Sequence, residues 1–464
     1  MRAPWLWIGL PLLAAGFLLL MGTTRRAARS AAAVALLLAL AAWRLPIEQP
    51  VRLAGSWGFR IAANMQVLGR QLIITDAMRG LLVWLFLALA LWLGGAGVAR
   101  MEPTYPGLAM AVVAVLVAAL AIRPFLYAAL LIETAVLLSV PLLTPPGSVA
   151  GRGVLRFLTF QTLGMLFILF TGWMLVGTET GLPDSALAVR AGTLLGLGFV
   201  LLLGVFPFHS WMPMLTEEIH PYAAALVLLA ITSVGGVFSL AFLEKYTWLR
   251  ESATVGRALL TAGGVMVVIG GVLAAFQAHA GRALGYAVLF DQGLALFALG
   301  LGNVQGRLLF FALWPARIVA FALWALALSG LGRRRDGLAY RQLVGLGRGA
   351  AWLSAGAVVA PLILAGAPWF VGFSSRLALW GAAAEHGLLW LTLFLVGSGG
   401  LAAAAFRLLG ALFSPSPETT DAEANDEKLW MAALLLTSLA LGVLPQWWWP
   451  HLKQILAAFP HLGP

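Results

Sequence analysis

The feature that most constrains this chain is a succession of apolar stretches, most of them about 20 residues long, separated by short basic connections. About 20 apolar residues in a helix cross the hydrocarbon of a bilayer. The spacing predicts spans near 4–22, 29–43, 80–99, 106–122, 124–144, 154–177, 191–208, 221–243, 257–277, 283–302, 306–331, 352–378, 386–412 and 428–448. Only 10% of residues are charged and 61% are hydrophobic, against about 25% charged in soluble domains. Such a chain cannot cover itself with polar surface in water, so lipid must serve as part of its solvent. The expected fold is therefore all-α and polytopic, with about fourteen transmembrane helices, and the expected location is a bacterial plasma membrane.

The charge of +11 comes mainly from arginine. These arginines sit between the apolar stretches, where they meet anionic headgroups, so lipid rather than nucleic acid is the expected partner. The chain has no cysteine, which removes disulfides, thiolate metal sites and cysteine-ligated clusters. No nucleophile–base set, phosphate loop or metal cluster is legible, and neither catalytic residues nor a cofactor is expected. The Arg333-Arg334-Arg335 loop and the Arg25-Arg26 loop fall on one side, expected to be cytoplasmic. The connection 44–79 and the acidic stretch 413–428, with Asp421, Glu423, Asp426 and Glu427, read as solvated loops.

The stretch 201–229, LLLGVFPFHSWMPMLTEEIHPYAAALVLL, carries the most information. An apolar span is interrupted by Gly204, Pro207, His209 and Pro213. A break inside the membrane is tolerated only where protein or a water-filled cavity covers the freed backbone groups. Glu133, flanked by Leu130, Leu131, Ile132 and Ala135, lies mid-span. So do Asp291, beside Gln292, and Arg317. Intramembrane charges are costly and commonly functional. An arginine stays protonated, so Arg317 and Arg376 can tune a carboxylate but cannot pass a proton. His209 and His220 flank the interruption and titrate near neutrality. Glu217 and Glu218 read as loop acids.

Residues Pro207-Phe208-His209-Ser210-Trp211-Met212-Pro213, followed by His220-Pro221, resemble the antiporter-like subunits of respiratory complex I, related hydrogenases and multisubunit sodium/proton antiporters. Leu131-Ile132-Glu133-Thr134, the segment 278–286, and Gly366 to Arg376 with Pro368 and Gly372 are similar to further segments of that family, and the resemblance runs over roughly 65–450. It implies two inverted five-helix repeats, each with a broken helix. The division would be 1–105, 106–243, 257–412 and 428–464. It also implies a proton path through Glu133, Asp291, Arg317, His209 and Arg376, and a role as a proton-translocating subunit. Redox chemistry would lie in partner membrane and redox subunits, with protons, or alternatively sodium, as the ion. The alternatives are a structural, non-conducting subunit or a subunit of a cation/proton antiporter. One departure stands out. The chain has three lysines, Lys245, Lys428 and Lys453, and the family's intramembrane lysines fall here at Leu202 and about Ser233. Glu133 would then look to Arg156 or Arg152 for a counter-charge.

Overall fold

A computed structural model describes residues 1–21, 25–54, 57–145, 147–175, 185–416 and 422–462. An apolar helix occupies each of the fourteen expected positions, and the protein is an integral, multi-pass membrane protein. Among the described residues, nine helices suffice by length and composition to cross a membrane, the segment 425–456 is a bent pair, and four apolar helices are shorter. The figure of fourteen full spans is thus not reproduced by helix length.

The first nine helices are α1 (Leu10–Met21), α2 (Arg25–Arg44), α3 (Arg79–Gly95), α4 (Tyr105–Ala121), α5 (Ala128–Leu143), α6 (Arg152–Met174), α7 (Ser185–Leu202), α8 (Trp211–Glu218) and α9 (Pro221–Lys245). The short α10 (Thr247–Arg250) leads to α11 (Ala253–Phe276), α12 (Ala280–Gly300), α13 (Val304–Ala312) and α14 (Trp314–Arg335). The chain continues through α15 (Ala351–Ala365), α16 (Phe373–Glu385), α17 (Leu388–Phe413), α18 (Asn425–Val443) and α19 (Trp449–Leu456).

Local chemistry sets the helix ends. Asn303 caps α13 by accepting the Gly306 N–H at 2.7 Å, and Ser252 caps α11 at Val255, each satisfying a donor that the first turn leaves open. Pro221 starts α9, where a missing N–H is harmless, and Gly366 closes α15 at φ +92. Apolarity on every side marks the innermost helices. Along α12 every residue but Arg282 is buried, and α9 and α14 are nearly so, while α2, α6, α11 and α17 keep one face outward. Helix α11 meets α17 through Gly271, Gly397 and Gly400. A Cβ on Gly271 would collide with the Gly397 carbonyl. Small residues permit this backbone approach in lipid, where packing replaces the hydrophobic effect as the driving force.

Two connections differ from the solvated loops expected. Residues 44–79 hold the antiparallel hairpin β1 (Pro50–Ala54) and β2 (Trp57–Arg60), then β3 (Asn64–Val67) and β4 (Arg70–Ile73). β4 also pairs antiparallel with β5 (Ile122–Arg123). Ile47, Ile61 and Ile74 are buried beneath, so this segment is a small β-cap on an otherwise helical protein. In the acidic stretch, Glu423 and Glu427 are buried. Glu427 joins Arg333 and Arg334 through contacts of 2.7 Å each, and Glu423 accepts the Leu353 N–H at 2.7 Å at the start of α15. Asp421 lies outside the described residues.

The Gly271→Leu variant should lose the α11–α17 contact. A loss of about 2 kcal/mol or more, in line with overpacked cores, should appear as a lower thermal midpoint in detergent, while Gly399→Ala, which meets open space, should leave it unchanged. An unchanged midpoint for Gly271→Leu would refute the contact.

Candidate functional site

Two interruptions shape the interior. The first follows α7. Gly204 has φ +61, a cis peptide joins Phe206 to Pro207, and the chain turns until α8 begins at Trp211. Ending α7 leaves carbonyls without their helical donors. Gln161 of α6 answers one of them, its amide donating to the Leu202 carbonyl at 3.0 Å. Pro213 was expected in the break itself. It stands instead in the first turn of α8, where an absent N–H leaves no bond unmade. The second interruption separates α15 from α16 and contains Pro368, with Trp369 at φ 74. Gly372 is required there by proximity, because a Cβ would overlap the Ile363 carbonyl.

At the second interruption Arg376, fully buried, donates through Nε to the Leu364 carbonyl at 2.8 Å. Its Nη2 donates to Asp291 Oδ1 at 2.9 Å. The other carboxylate oxygen, Oδ2, accepts from Arg317 Nε at 2.5 Å. Arg317 further donates to Ser233 Oγ at 3.1 Å and to Gln292 Oε1 at 3.3 Å. One carboxylate on α12 therefore holds two guanidiniums, from α14 and α16, with all three side chains buried. The cluster carries one positive charge in excess, and Arg376 Nη1 has no partner. Burial this complete keeps the Arg376 guanidinium away from the membrane interface. Ser233, where the family resemblance places a lysine, is reached by Arg317 from the neighbouring helix. A cation thus occupies that region by another route.

Glu133 stands apart. Its Oε1 accepts the Thr162 hydroxyl at 2.6 Å, while Oε2 is enclosed without a donor. Among the described residues no cation pairs with it. Arg156 turns instead to Ser210 and Met214, at 3.4 and 3.2 Å, so the arginine counter-charge expected for Glu133 is not found. His209 lies within the first interruption, near the Phe206 and Tyr286 rings at 5.6 and 6.2 Å, and its Nδ1 has no partner. The structure thus joins Asp291, Arg317 and Arg376 directly, and leaves Glu133 and His209 outside that bonded set.

The loop acids also have structural roles. Glu218 accepts the Gly153 N–H at 2.7 Å, capping α6, and Glu217 faces Arg282 at 3.6 Å. His220 caps α9, its Nδ1 accepting the Tyr222 N–H at 3.3 Å. Burial, and after it the Arg333 charge, hold the His220 imidazole down at about 4. Gln161, and the bond that Ser233 accepts from Arg317, escape sequence reasoning because isolated polar residues in a span carry no pattern of their own.

Removing the Asp291 charge leaves two guanidiniums unopposed. Asp291→Asn should cost about 3–5 kcal/mol, seen as lost monodisperse protein in size-exclusion chromatography. Arg376→Met should be milder, since Arg317 still neutralises Asp291; equal losses would contradict the shared-carboxylate arrangement. The His220 shift has a pH signature. The unfolded chain takes up this proton below 6.5 and the folded one only near 4, so stability should decline as pH falls through that window. His220→Asn keeps a capping acceptor without the titration, and thermal midpoints measured against pH should fall less steeply for it than for the native chain.

The transmembrane family described as NADH:quinone oxidoreductase/Mrp antiporter matches residues 157–402. NADH-quinone oxidoreductase subunit N of Thiobacillus denitrificans is 26% identical over 329 residues, 64% of this chain and 65% of that protein. Subunit N of Cereibacter sphaeroides is 30% identical over 285 residues, 60% of each chain. The chain thus spans at most 65% of the length of these curated relatives. A chain of respiratory complex I from Thermus thermophilus with bound NADH superposes with a TM-score of 0.81 at 22% identity, covering 99% of this chain and 100% of that one. A chain of the Mrp complex from Dietzia sp. DQ12-45-1b gives a TM-score of 0.81 at 19% identity, covering 98% and 96%. The family match takes in more than half of the sequence, and this chain belongs to the NADH:quinone oxidoreductase/Mrp antiporter family of transmembrane proteins.

Proposed function

We propose that the chain is a proton-translocating, antiporter-like membrane subunit of a complex I-like assembly of the NADH:quinone oxidoreductase type, in a bacterial plasma membrane. The observation that carries this reading is the buried charge line itself, in a member of this family. Asp291, Arg317 and Arg376 meet at the break between α15 and α16, and Glu133 lies in α5, bonded to Thr162 of α6 next to the Gln161 that satisfies the end of α7. Broken helices in matching halves mark transport sites, and the two halves are proposed as residues 106–243 and 257–412, inverted relative to each other, between 1–105 and 428–464.

In this reading the proton path runs by Glu133, Asp291 and His209. Arg317 and Arg376 keep their protons and set the field around Asp291, so a change in their distance alters its readiness to accept a proton. Electron transfer belongs to partner redox subunits, and no cofactor is assigned to this chain. A second reading, a structural subunit or one of a cation/proton antiporter, draws on one observation: buried Leu202 stands where the family resemblance places a lysine.

The test is proton uptake by inside-out membrane vesicles energised with NADH, followed with a pH-gradient dye. Glu133→Gln should lower uptake per NADH oxidised by about tenfold or more, the range for losing a proton-transferring group. Full uptake in that variant would remove Glu133 from the path and favour the structural reading.

A further inference from the structure

The membrane face opposite Arg333 holds a cavity that the buried charges do not touch. Arg333 donates to the Ala99 carbonyl, beyond the far end of α3, so Arg79, which begins α3, stands at the other face. There a cavity of about 720 Å³ lies between the end of α2, the start of α3 and α19, within the range of about 300–1,000 Å³ that small-molecule sites take. The seating of α19 creates it. A bend of 83° after α18 turns α19 across the ends of the membrane helices. Gly80 lets it approach, since a Cβ there would come within 2.8 Å of the Ile455 side chain. Leu452, Ile455 and Leu456 are buried, whereas His451 and Gln454 are exposed and line the cavity. α19 is thus an amphipathic helix lying at the level of the headgroups, and the run Trp447-Trp448-Trp449 at its start is of the kind that gathers at membrane interfaces.

The cavity has a polar end and an apolar one. Asp76, Arg79, His451 and Gln454 line the first, and Leu40, Val83 and Leu87 the second. Val83 and Leu87 lie one and two turns deeper along α3 than Arg79. Leu40 and Leu87 are exposed, and Leu36 and Leu37 continue the exposed face of α2 toward the bilayer centre. Arg79 is spent on the protein. Its Nε donates to the Ala42 carbonyl at 2.8 Å, its Nη2 to the Trp43 carbonyl, and its Nη1 to Asp76 Oδ1 at 3.2 Å. The Ile47 N–H donates to the same Oδ1 at 2.9 Å. Oδ2 takes part in neither bond, so the second oxygen of the Asp76 carboxylate keeps its acceptor capacity at the cavity. A cation stands at the rim, where the Arg44 guanidinium lies 4.4 Å from the ring centroid of Trp43, itself a lining residue. Charges of both signs beside an apolar slot suit an amphiphile whose head carries both. We propose that the cavity binds one phospholipid with a phosphoethanolamine headgroup. The primary ammonium donates to Asp76 Oδ2, the phosphate lies against Arg44 and His451, and the acyl chains follow the exposed leucines of α2 and α3. A choline head has no N–H to donate, and a glycerol head brings no positive charge to Asp76. The inference holds whether or not the chain translocates protons.

The full chain, purified in mild detergent and freed of lipid by detergent exchange, is titrated with phosphatidylethanolamine, phosphatidylcholine, phosphatidylglycerol or decylquinone and read by native mass spectrometry. The expected result is one saturable phosphatidylethanolamine adduct. The other amphiphiles should bind about tenfold more weakly or not at all, the worth of one hydrogen bond to a charged group. Asp76→Asn removes the charge and keeps an acceptor for the Ile47 N–H. It should weaken phosphatidylethanolamine by about tenfold without weakening phosphatidylglycerol. Ala457 is an exposed position on the cavity wall. Ala457→Trp should close the site and abolish the adduct while the thermal midpoint of the lipid-free protein stays the same, so the proposal remains refutable where Asp76→Asn fails to fold. Equal or tighter binding of phosphatidylglycerol or decylquinone overturns it, as does unchanged phosphatidylethanolamine binding in a folded Asp76→Asn. A graded series of adducts that is the same for every lipid and for Ala457→Trp also overturns it, because it shows lipid bound around the whole circumference and not in the cavity.

Discussion

The interior of this protein is organised by the need to hold a carboxylate in a medium that cannot solvate it. Moving such an ion from water into a low dielectric carries an idealised penalty on the order of 20 kcal/mol. Asp291 meets that penalty with two guanidiniums, and each guanidinium is in turn spent on further acceptors: Ser233 and Gln292 for Arg317, the Leu364 carbonyl for Arg376. Helices α9, α12, α14, α15 and α16 are thereby tied to one charge. Small residues such as Gly293, two positions from the carboxylate, let α11 approach α12 closely.

The two helix breaks answer the same problem with different chemistry. At the first, a neutral amide from Gln161 satisfies the Leu202 carbonyl. At the second, the charged side chain of Arg376 satisfies the Leu364 carbonyl and the Asp291 carboxylate together. The second break is therefore coupled electrostatically to the centre of the protein, while the first is not. Glu133, the acid of the first half, has only a hydroxyl for company. The two breaks thus differ in the charge around them, with two guanidiniums on one carboxylate near the second and, among the described residues, no cation paired with Glu133.

The membrane edge is built with the same economy. Arg333 and Arg334 form a basic end to α14, yet both are held by Glu427, and Arg333 also donates to the Ala99 carbonyl at the end of α3. α2 packs antiparallel to α3, its far end held where Arg79 donates to the Ala42 and Trp43 carbonyls. That places the start of α2 on the same side as Arg333, as the distribution of basic loops predicted. The acidic stretch before α18 read as solvated because hydropathy measures only its composition. It is partly buried because arginines distant in sequence converge on it.

Sequence by itself determined the class of the protein, since apolar runs of bilayer length leave a chain no soluble alternative. It also located both breaks, through Pro207 and Pro368, and picked out Glu133, Asp291, Arg317 and Arg376 as charges in apolar surroundings. What it could not assign was which charges meet. Arg317 and Arg376 lie 26 and 85 residues from Asp291, and no local periodicity encodes that pairing. Arg156, close to Glu133 in the order of spans, turns away from it. Pairing in a helical membrane protein is decided by how helices are arranged around one another, and only the tertiary structure supplies that arrangement. It gives Asp291 two guanidiniums and Glu133, among the described residues, only the Thr162 hydroxyl.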